Sequence, residues 1–458
     1  MIIGKSAFLG KIDLMPAIRY VIKRNGATVP FSQDRITNAI YRAAVSVGGR
    51  DRETAEKLSQ QVVELLETRF DLQQYPTVEE IQDLVEKVLI ENGHARVSKA
   101  YILYREERNR LRKRDRIYLE QGSEFIPWKK IWSVLDWAAD HELSSIEKIN
   151  HRISQGESVE IISESEEAFA QDVQQATRMI EGRKKDLKLV IISGPSSSGK
   201  TTTTARIAQA LGGKGLRFIE LNLDNYYYDI AQHPRDEFGD YDFETPQALD
   251  IGLINQHLHQ LLEGRKISIP HYNFKTGRQY PDQTPMQVHR GEILLIDSLY
   301  GLYPPLSDGI FEDKVKIYIE PLLQIKTGDG NYIRWTDIRL MRRMLRDAIY
   351  RSYNYEKTLT HWHYVRAGEL RSIIPYSGTA DMVINSGMPY EIPLYKPKLY
   401  RHFIEWEQKY RDDPLRQDAF MRASRIRNML QGVTPISDDS LVPKDSVIRE
   451  FIGGLKVG

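Results

Sequence analysis

The sequence predicts a doubly wound, mostly parallel α/β domain, preceded by a mainly α-helical domain that carries a short β-hairpin. Three observations support this. Between about residues 186 and 400, five apolar runs alternate with helical patterns: LKLVIIS, RFIELNL, EILLIDS, KVKIYIE and ADMVINS. Continuous apolar runs suit strands covered on both faces, and their alternation with helices implies a parallel sheet. A glycine-rich stretch, GPSSSGKT from Gly194 to Thr201, lies between the first run and the next helical pattern. Upstream, YVIKRNGATVPF reads as two short strands around Asn25-Gly26. That dipeptide suits a two-residue turn in which both positions take positive φ.

Five segments follow in order. Residues 1–17 contain only a short apolar piece with no small-residue cleavage site, and read as an N-terminal tail or docking segment. Residues 18–110 carry the hairpin and four amphipathic helical patterns. The first begins near Ser32, with Ile36, Ile40 and Ala44 on one face, and the second covers about Arg52 to Phe70. The third begins at Thr77 with Glu80 three residues on, a capping-box spacing, and ends near Gly93. The fourth runs from about Ala95 into RNRLRKRDR. Residues 111–185, with the aromatic stretch FIPWKKIWSVLDWAADHEL, read as a helical connector. Residues 186–400 form the α/β domain, and 401–458 a charged helical extension.

Composition narrows the function. The chain has 458 residues, with 64 Lys and Arg against 63 Asp and Glu, for a net charge of +1. That balance argues against a bulk nucleic-acid binder, and no helix-turn-helix or zinc pattern is present, so no nucleic-acid partner is expected. No apolar run reaches the length of a membrane span, so no membrane association is expected. The absence of cysteine excludes disulfides, thiolate catalysis and cysteine metal sites, and fits a cytoplasmic protein.

The stretch Gly194–Thr201 fits G-x-x-x-x-G-K-T in its required strand-to-helix setting. Backbone amides of Gly194, Ser196, Ser197, Ser198, Gly199 and Thr202 are expected around nucleotide phosphates, with Lys200 on the β- and γ-phosphates and Thr201 on Mg²⁺. Asp297, at the end of EILLID, is a second candidate for the metal; its plainer reading is an acid that caps the next turn. Asp224 ends the second strand run, where a carboxylate can accept a hydroxyl proton. Tyr226, Tyr227 and Tyr228 follow it as candidates to line an acceptor pocket, or as tyrosines on a domain seam. Arg339, Arg342, Arg343, Arg346 and Arg351 crowd one helical pattern. Guanidinium groups suit transferring phosphates, although a surface helix paired with acids elsewhere gives the same pattern.

Taken as a set and in order, GPSSSGKTTTT, LDNYYYD, GDYDFETPQALD, IPHYNF, TDIRLMRRMLRD and ADMVINS resemble the uridine kinase and phosphoribulokinase family, over about residues 186 to 395. The pattern WxxVRxGE, here Trp362, Val365, Arg366, Gly368 and Glu369, is similar to a bacterial uridine kinase-like branch. The resemblance implies a P-loop kinase domain that uses ATP as phosphoryl donor with Mg²⁺. It makes Asp224 the catalytic base, Glu244 a contact to ribose hydroxyls and Tyr272 a stacking partner of the base. Lys200, Arg343 and Arg346 would serve transfer, and Arg351 the substrate. Some positions depart from the family: glutamate replaces aspartate at Glu244, a base-reading histidine aligns near Gly277, and His361 and Tyr353 replace a lid glutamine and arginine. The phosphoryl-transfer residues are therefore retained more fully than the base-reading ones.

Residues 18–108 are similar to the ATP-cone, a nucleotide-sensing domain. The features are Val21, Lys23-Arg24, Asn25-Gly26, Pro30-Phe31, Arg35-Ile36 and SKAYILYR. The resemblance assigns a regulatory nucleotide, ATP or dATP, to Val21, Lys23, Arg24, Arg35, Ile36 and Lys99. The expected protein is a homo-oligomeric, cone-regulated kinase of a nucleoside 5′-hydroxyl. A kinase for a deoxynucleoside or a sugar phosphate, and a non-catalytic nucleotide-responsive regulator, are the alternatives.

Overall fold

The structure, a computed structural model, describes residues 18–22, 28–70, 75–105, 126–234, 244–274, 276–307, 313–350, 354–413 and 416–455. The expectations for residues 1–17, for Lys23, Arg24 and the Asn25-Gly26 turn, for RNRLRKRDR, and for Arg351 and Tyr353 fall outside these residues. The described residues divide into two compact units, one before residue 118 and one after it.

In the first unit, β1 (Tyr20–Ile22) pairs antiparallel with β2 (Thr28–Pro30). Helices α1 (Gln33–Ser46), α2 (Arg52–Arg69) and α3 (Val78–Glu91) follow, and residues 95–105 form α4. Their apolar faces share a core that includes Ile36, Ile40, Leu58, Val62, Leu66, Val85, Leu89 and Tyr101. On α1 the buried stripe continues at Ala43, three residues after Ile40, rather than at Ala44. The capping box at α3 is present: Thr77 Oγ1 accepts from the Glu80 amide at 3.2 Å, and Glu80 Oε2 accepts from the Thr77 amide at 2.8 Å.

The second unit begins with α5 (Trp128–Asp140), α6 (Ile146–Ser154) and α7 (Ser158–Gly182). Next come β3 (Leu189–Ser193), α8 (Lys200–Gly212), β4 (Arg217–Asn222) and α9 (Ile251–Leu262). The chain continues through β5 (Ile267–Asn273), β6 (Arg278–Met286), β7 (Glu292–Ser298), α10 (Pro304–Ser307) and β8 (Lys314–Glu320). It ends with α11 (Trp335–Tyr350), α12 (Tyr355–Ser372), β9 (Met382–Asn385), α13 (Glu391–Tyr410), α14 (Gln417–Gln431) and α15 (Arg449–Ile452).

All five apolar runs are strands of one parallel sheet in the order β4-β7-β3-β8-β9. Every residue of the central strand β3 is buried, as expected for a sheet covered on both faces. Val190 and Ile192 face one core cluster while Leu189 and Ile191 face the other. One element was not anticipated: β5 and β6 form a separate antiparallel ribbon. Its β6 strand is largely exposed and rich in Gln and Pro, so no apolar alternation marks it.

The segments read as a connector and an extension share the core of the sheet domain. Ile161, Phe169 and Ile180 from α7, and Leu430, Ile448 and Phe451 near the C-terminus, are buried in the same cluster as Ile192 and Ile317. Charged ends disguise this packing in the sequence. Arg342 is fully buried, and its Nε and Nη2 donate to both oxygens of Glu391 at 2.7 and 2.9 Å. Glu391→Ala would leave a buried guanidinium without its carboxylate. It should cost about 3–5 kcal/mol, read as a lower midpoint in chemical denaturation.

Candidate active site

The chemistry-bearing residues of the second unit gather at the C-terminal ends of its parallel strands, where open α/β sheets bind ligands. After β3 the chain turns through Gly194 to Gly199 and enters α8 at Lys200. Gly199 has φ +85°, and a Cβ there would come within 2.4 Å of Val447 Cγ2. At Gly194 a Cβ would lie 2.2 Å from the Ile319 carbonyl oxygen. Ser197 also holds a positive φ, 59°, which is strained for a side-chain-bearing residue. The hydroxyls of Ser197 and Ser198 are buried with no protein partner. Buried hydroxyls of this kind call for a polar ligand. The loop thus fits nucleotide phosphates, with the open end of α8 adding donors.

Carbonyl groups on the outer side of the loop are braced. Arg339, fully buried, donates from Nη1 to the Ser196 carbonyl at 3.1 Å. Its fork is closed by Glu369, with Nη2 to Oε2 at 2.9 Å, and Arg366 pairs with the same carboxylate. Ser386 donates its hydroxyl to the Ser198 carbonyl, and Arg342 holds the Ser386 carbonyl at 2.7 Å. The arginine-rich pattern therefore splits in two. Arg339 and Arg342 are buried braces rather than lid groups, because each has a carboxylate from α12 or α13. Arg343 and Arg346 remain at the site. Arg343 Nη1 lies 3.3 Å from both Ser196 Oγ and Glu244 Oε1. Arg346 donates to Asp347 Oδ1 at 2.9 Å, and its charge acts on Lys200.

The motif on α12 explains this arrangement. Trp362 is buried, with the Arg339 guanidinium 5.7 Å from its ring centre. Gly368 lets the backbone of Glu244 pass; a Cβ there would sit 2.1 Å from the Glu244 carbonyl oxygen. Glu369 is the carboxylate that holds Arg339.

Lys200 donates to the Pro195 carbonyl at 3.1 Å. Burial lowers its pKa, while the charges of Asp297, Glu450 and Asp224 oppose that fall. Thr201 Oγ1 donates to Asp297 Oδ2 at 3.3 Å. This hydroxyl and carboxylate suit Mg²⁺, which binds one or two protein oxygens and completes its shell with phosphate and water. Asp224 sits in a short turn after β4, its amide held by Asn222 Oδ1 at 2.9 Å. Its charge is felt by Lys200, Asp297 and Tyr227.

Among the tyrosines the structure corrects one expectation. Tyr226 is fully buried, with its hydroxyl on His257 Nδ1 at 2.9 Å, and belongs to the core rather than to an acceptor pocket. Tyr227 is buried in the same core cluster. Burial, and next the carboxylates of Asp224 and Glu244, raise its pKa well above the ordinary value. Its ring meets Tyr272 at 5.4 Å and Phe274 at 5.9 Å. The composition of the run alone does not say which tyrosines are buried. Gly277, where a base-reading histidine was sought, is a turn residue of the β5–β6 ribbon with φ +67°, its would-be Cβ 3.0 Å from Ile230. No side chain reaches a ligand from there.

In the first unit, Val21 and Ile36 are buried, whereas Arg35 and Lys99 are exposed. Arg35 stands in the first turn of α1, and Lys99 on α4.

Residues 189–392 match the phosphoribulokinase/uridine kinase family and residues 19–110 the ATP cone domain. The uridine kinase of Deinococcus deserti is 28% identical over 197 residues, covering 43% of this chain and 86% of its own length. The uridine kinase of Borrelia duttonii is 29% identical over 211 residues, 46% of this chain and 91% of its own. The uridine kinase of Saccharomyces cerevisiae is 25% identical over 201 residues, 43% of this chain and 36% of its own. No helix among the described residues is long and apolar enough to cross a membrane.

Burial pushes the Asp297 carboxyl up to about 6; Lys200 opposes the rise, and Glu450 and Asp224 add to it. A raised carboxyl pKa means the fold favours the protonated form. Its contribution is full below the ordinary value of 3.8 and is lost as pH rises through about 6. Between pH 4 and pH 7, the wild type should lose about 2–3 kcal/mol relative to Asp297→Asn, measured by urea unfolding without nucleotide. Equal pH slopes would show an ordinary carboxyl.

Proposed function

We propose that this chain, which joins an ATP-cone domain to a domain of the phosphoribulokinase/uridine kinase family and is an ATP-dependent kinase, phosphorylates the 5′-hydroxyl of a nucleoside. One observation carries the reading: the Asp224 carboxylate shares an electrostatic neighbourhood with Lys200, Asp297 and Tyr227. This supports reading Asp224 as a proton acceptor beside the phosphate loop, as transfer to a hydroxyl requires.

In this reading Lys200 and the loop amides hold the ATP phosphates, and Thr201 and Asp297 would hold Mg²⁺, which would neutralise charge on the phosphates. The acceptor hydroxyl gives its proton to Asp224. Its oxygen bonds to the γ-phosphorus, the bond to the β–γ bridging oxygen breaks, and ADP leaves. Arg343 and Arg346 stabilise charge on the transferred group. Glu244, held by Arg343, accepts from ribose hydroxyls, and Arg351 also serves the substrate. Phe274, exposed beside the buried rings of Tyr272 and Tyr227, offers a stacking surface for the base, with Tyr272 behind it. A second reading is a deoxynucleoside or sugar phosphate as acceptor. Gly277 favours it, because the position that should read a uracil or cytosine edge has no side chain.

Asp224→Asn should keep ATP binding but lower kcat with uridine by about 10²–10⁴-fold, read in a coupled ADP assay. Unchanged turnover would remove Asp224 from the mechanism.

The cone supports regulation: ATP or dATP on Val21, Lys23, Arg24, Arg35, Ile36 and Lys99 shifts activity or assembly. Such coupling requires different effector affinity in two states. Added dATP should change turnover or particle size, and Arg35→Ala with Lys99→Ala should abolish the change. No dATP effect on either quantity removes the regulatory role.

A further inference from the structure

The first turn of α8 offers amides with no partner within the helix, since the first intrahelical bond is from Thr203 to the Gly199 carbonyl at 3.1 Å. In a phosphate loop these amides receive the ligand's anionic oxygens. One is already taken. Glu450 Oε2, from α15, accepts from the Thr202 amide at 3.4 Å and from Thr202 Oγ1 at 2.9 Å. Its charge acts on Lys200 and on Asp297. The segment that carries it is fastened beside the loop. Val447 lies against Gly199. Asp445 pairs with Arg206 of α8 at 2.7 Å, and Ser446 with the Tyr390 hydroxyl at 3.0 Å. Phe451 is buried under the Arg342 guanidinium, 4.8 Å from its ring centre.

We infer that Glu450 is an internal anion occupying a phosphate seat of the loop, so that a nucleotide must displace its carboxylate to bind fully. This rests on the loop being the nucleotide site and adds a restraint supplied by the C-terminal segment. Val447, Ile448 and Phe451 are core residues, so displacement needs only the Glu450 side chain to swing away. A bound phosphate and Glu450 compete for the Thr202 donors, and the two negative charges repel. The restraint acts on phosphate-bearing ligands and not on the base.

Peptide-resolved hydrogen exchange of residues 194–204 in the full chain reads this loop separately from the cone. Wild type, Glu450→Gln and Glu450→Ala are titrated with ATP, tripolyphosphate and adenosine. Both variants should reach half-protection at about five- to tenfold lower ATP and tripolyphosphate than wild type, with adenosine unchanged. Gln is isosteric, and the Ala variant guards against an amide that merely replaces the carboxylate bond. Equal or weaker binding of ATP and tripolyphosphate by both variants would overturn the inference. So would an equal gain for adenosine, which would indicate a change in pocket shape. If neither ATP nor tripolyphosphate protects the loop in any chain while Lys200→Ala behaves identically, the nucleotide reading of the loop fails and the inference with it.

Discussion

The grip of buried arginines on the carbonyls of the phosphate loop is the interaction on which the rest of the site depends. A loop that turns its amides inward toward an anion must turn carbonyls outward, and those need donors. Arg339 meets the Ser196 carbonyl directly, and Arg342 meets the Ser198 carbonyl through Ser386. Each guanidinium is paired with a buried carboxylate, Glu369 or Glu391. Removing one partner of such a pair exposes the full cost of a buried charge. The conformation of the loop is thereby tied to α11, α12 and α13. Burial also accounts for the use of arginine here, since its planar fork satisfies a carboxylate and a carbonyl together.

From this brace the remaining groups take their places. One helical turn beyond Arg339, Arg343 reaches Ser196 and Glu244, so a single helix holds the loop and meets Glu244. Gly368 sets how closely Glu244 passes α12. On the opposite side Asp297 and Thr201 lie together at the end of β7. Asp224 follows the neighbouring strand β4, and its charge reaches both Lys200 and Asp297. Every one of these residues is at the C-terminal edge of the sheet or on the helices that back it.

Much of this architecture was legible in the sequence. The five apolar strands stood out because a sheet covered on both faces needs side chains apolar on both faces. The loop, and the nearness of Thr201, Asp297 and Asp224 to it, were legible because phosphate chemistry fixes residue type and spacing. Periodicity carried the helices of the first unit, down to the capping box at Thr77. Other features were hidden for physical reasons. The β5–β6 ribbon has a solvent-facing strand with no apolar period. The C-terminal helices look charged because their salt bridges, such as Arg425 with Asp337 at 2.6 Å, join distant parts of the chain. The arginine-rich pattern gave no hint of which members were buried, since the burial of Arg339 and Arg342 was decided by Glu369 and Glu391. Tyr226 and Tyr227 are neighbours of identical chemistry, and only the packing of His257 against one and Tyr272 against the other separates them. Glu450 carries no motif at all, and its contact with Thr202 spans 248 residues of the chain.

The central claim is that the loop, Asp224 and the lid arginines together move a phosphoryl group from ATP to a nucleoside hydroxyl. It is tested most directly by ADP production from Mg²⁺-ATP across ribonucleosides, deoxyribonucleosides and sugar phosphates, with product position read by phosphorus NMR. The account predicts turnover on a nucleoside with phosphate on the 5′-oxygen. No turnover on any nucleoside, from folded protein whose loop binds ATP, would contradict it.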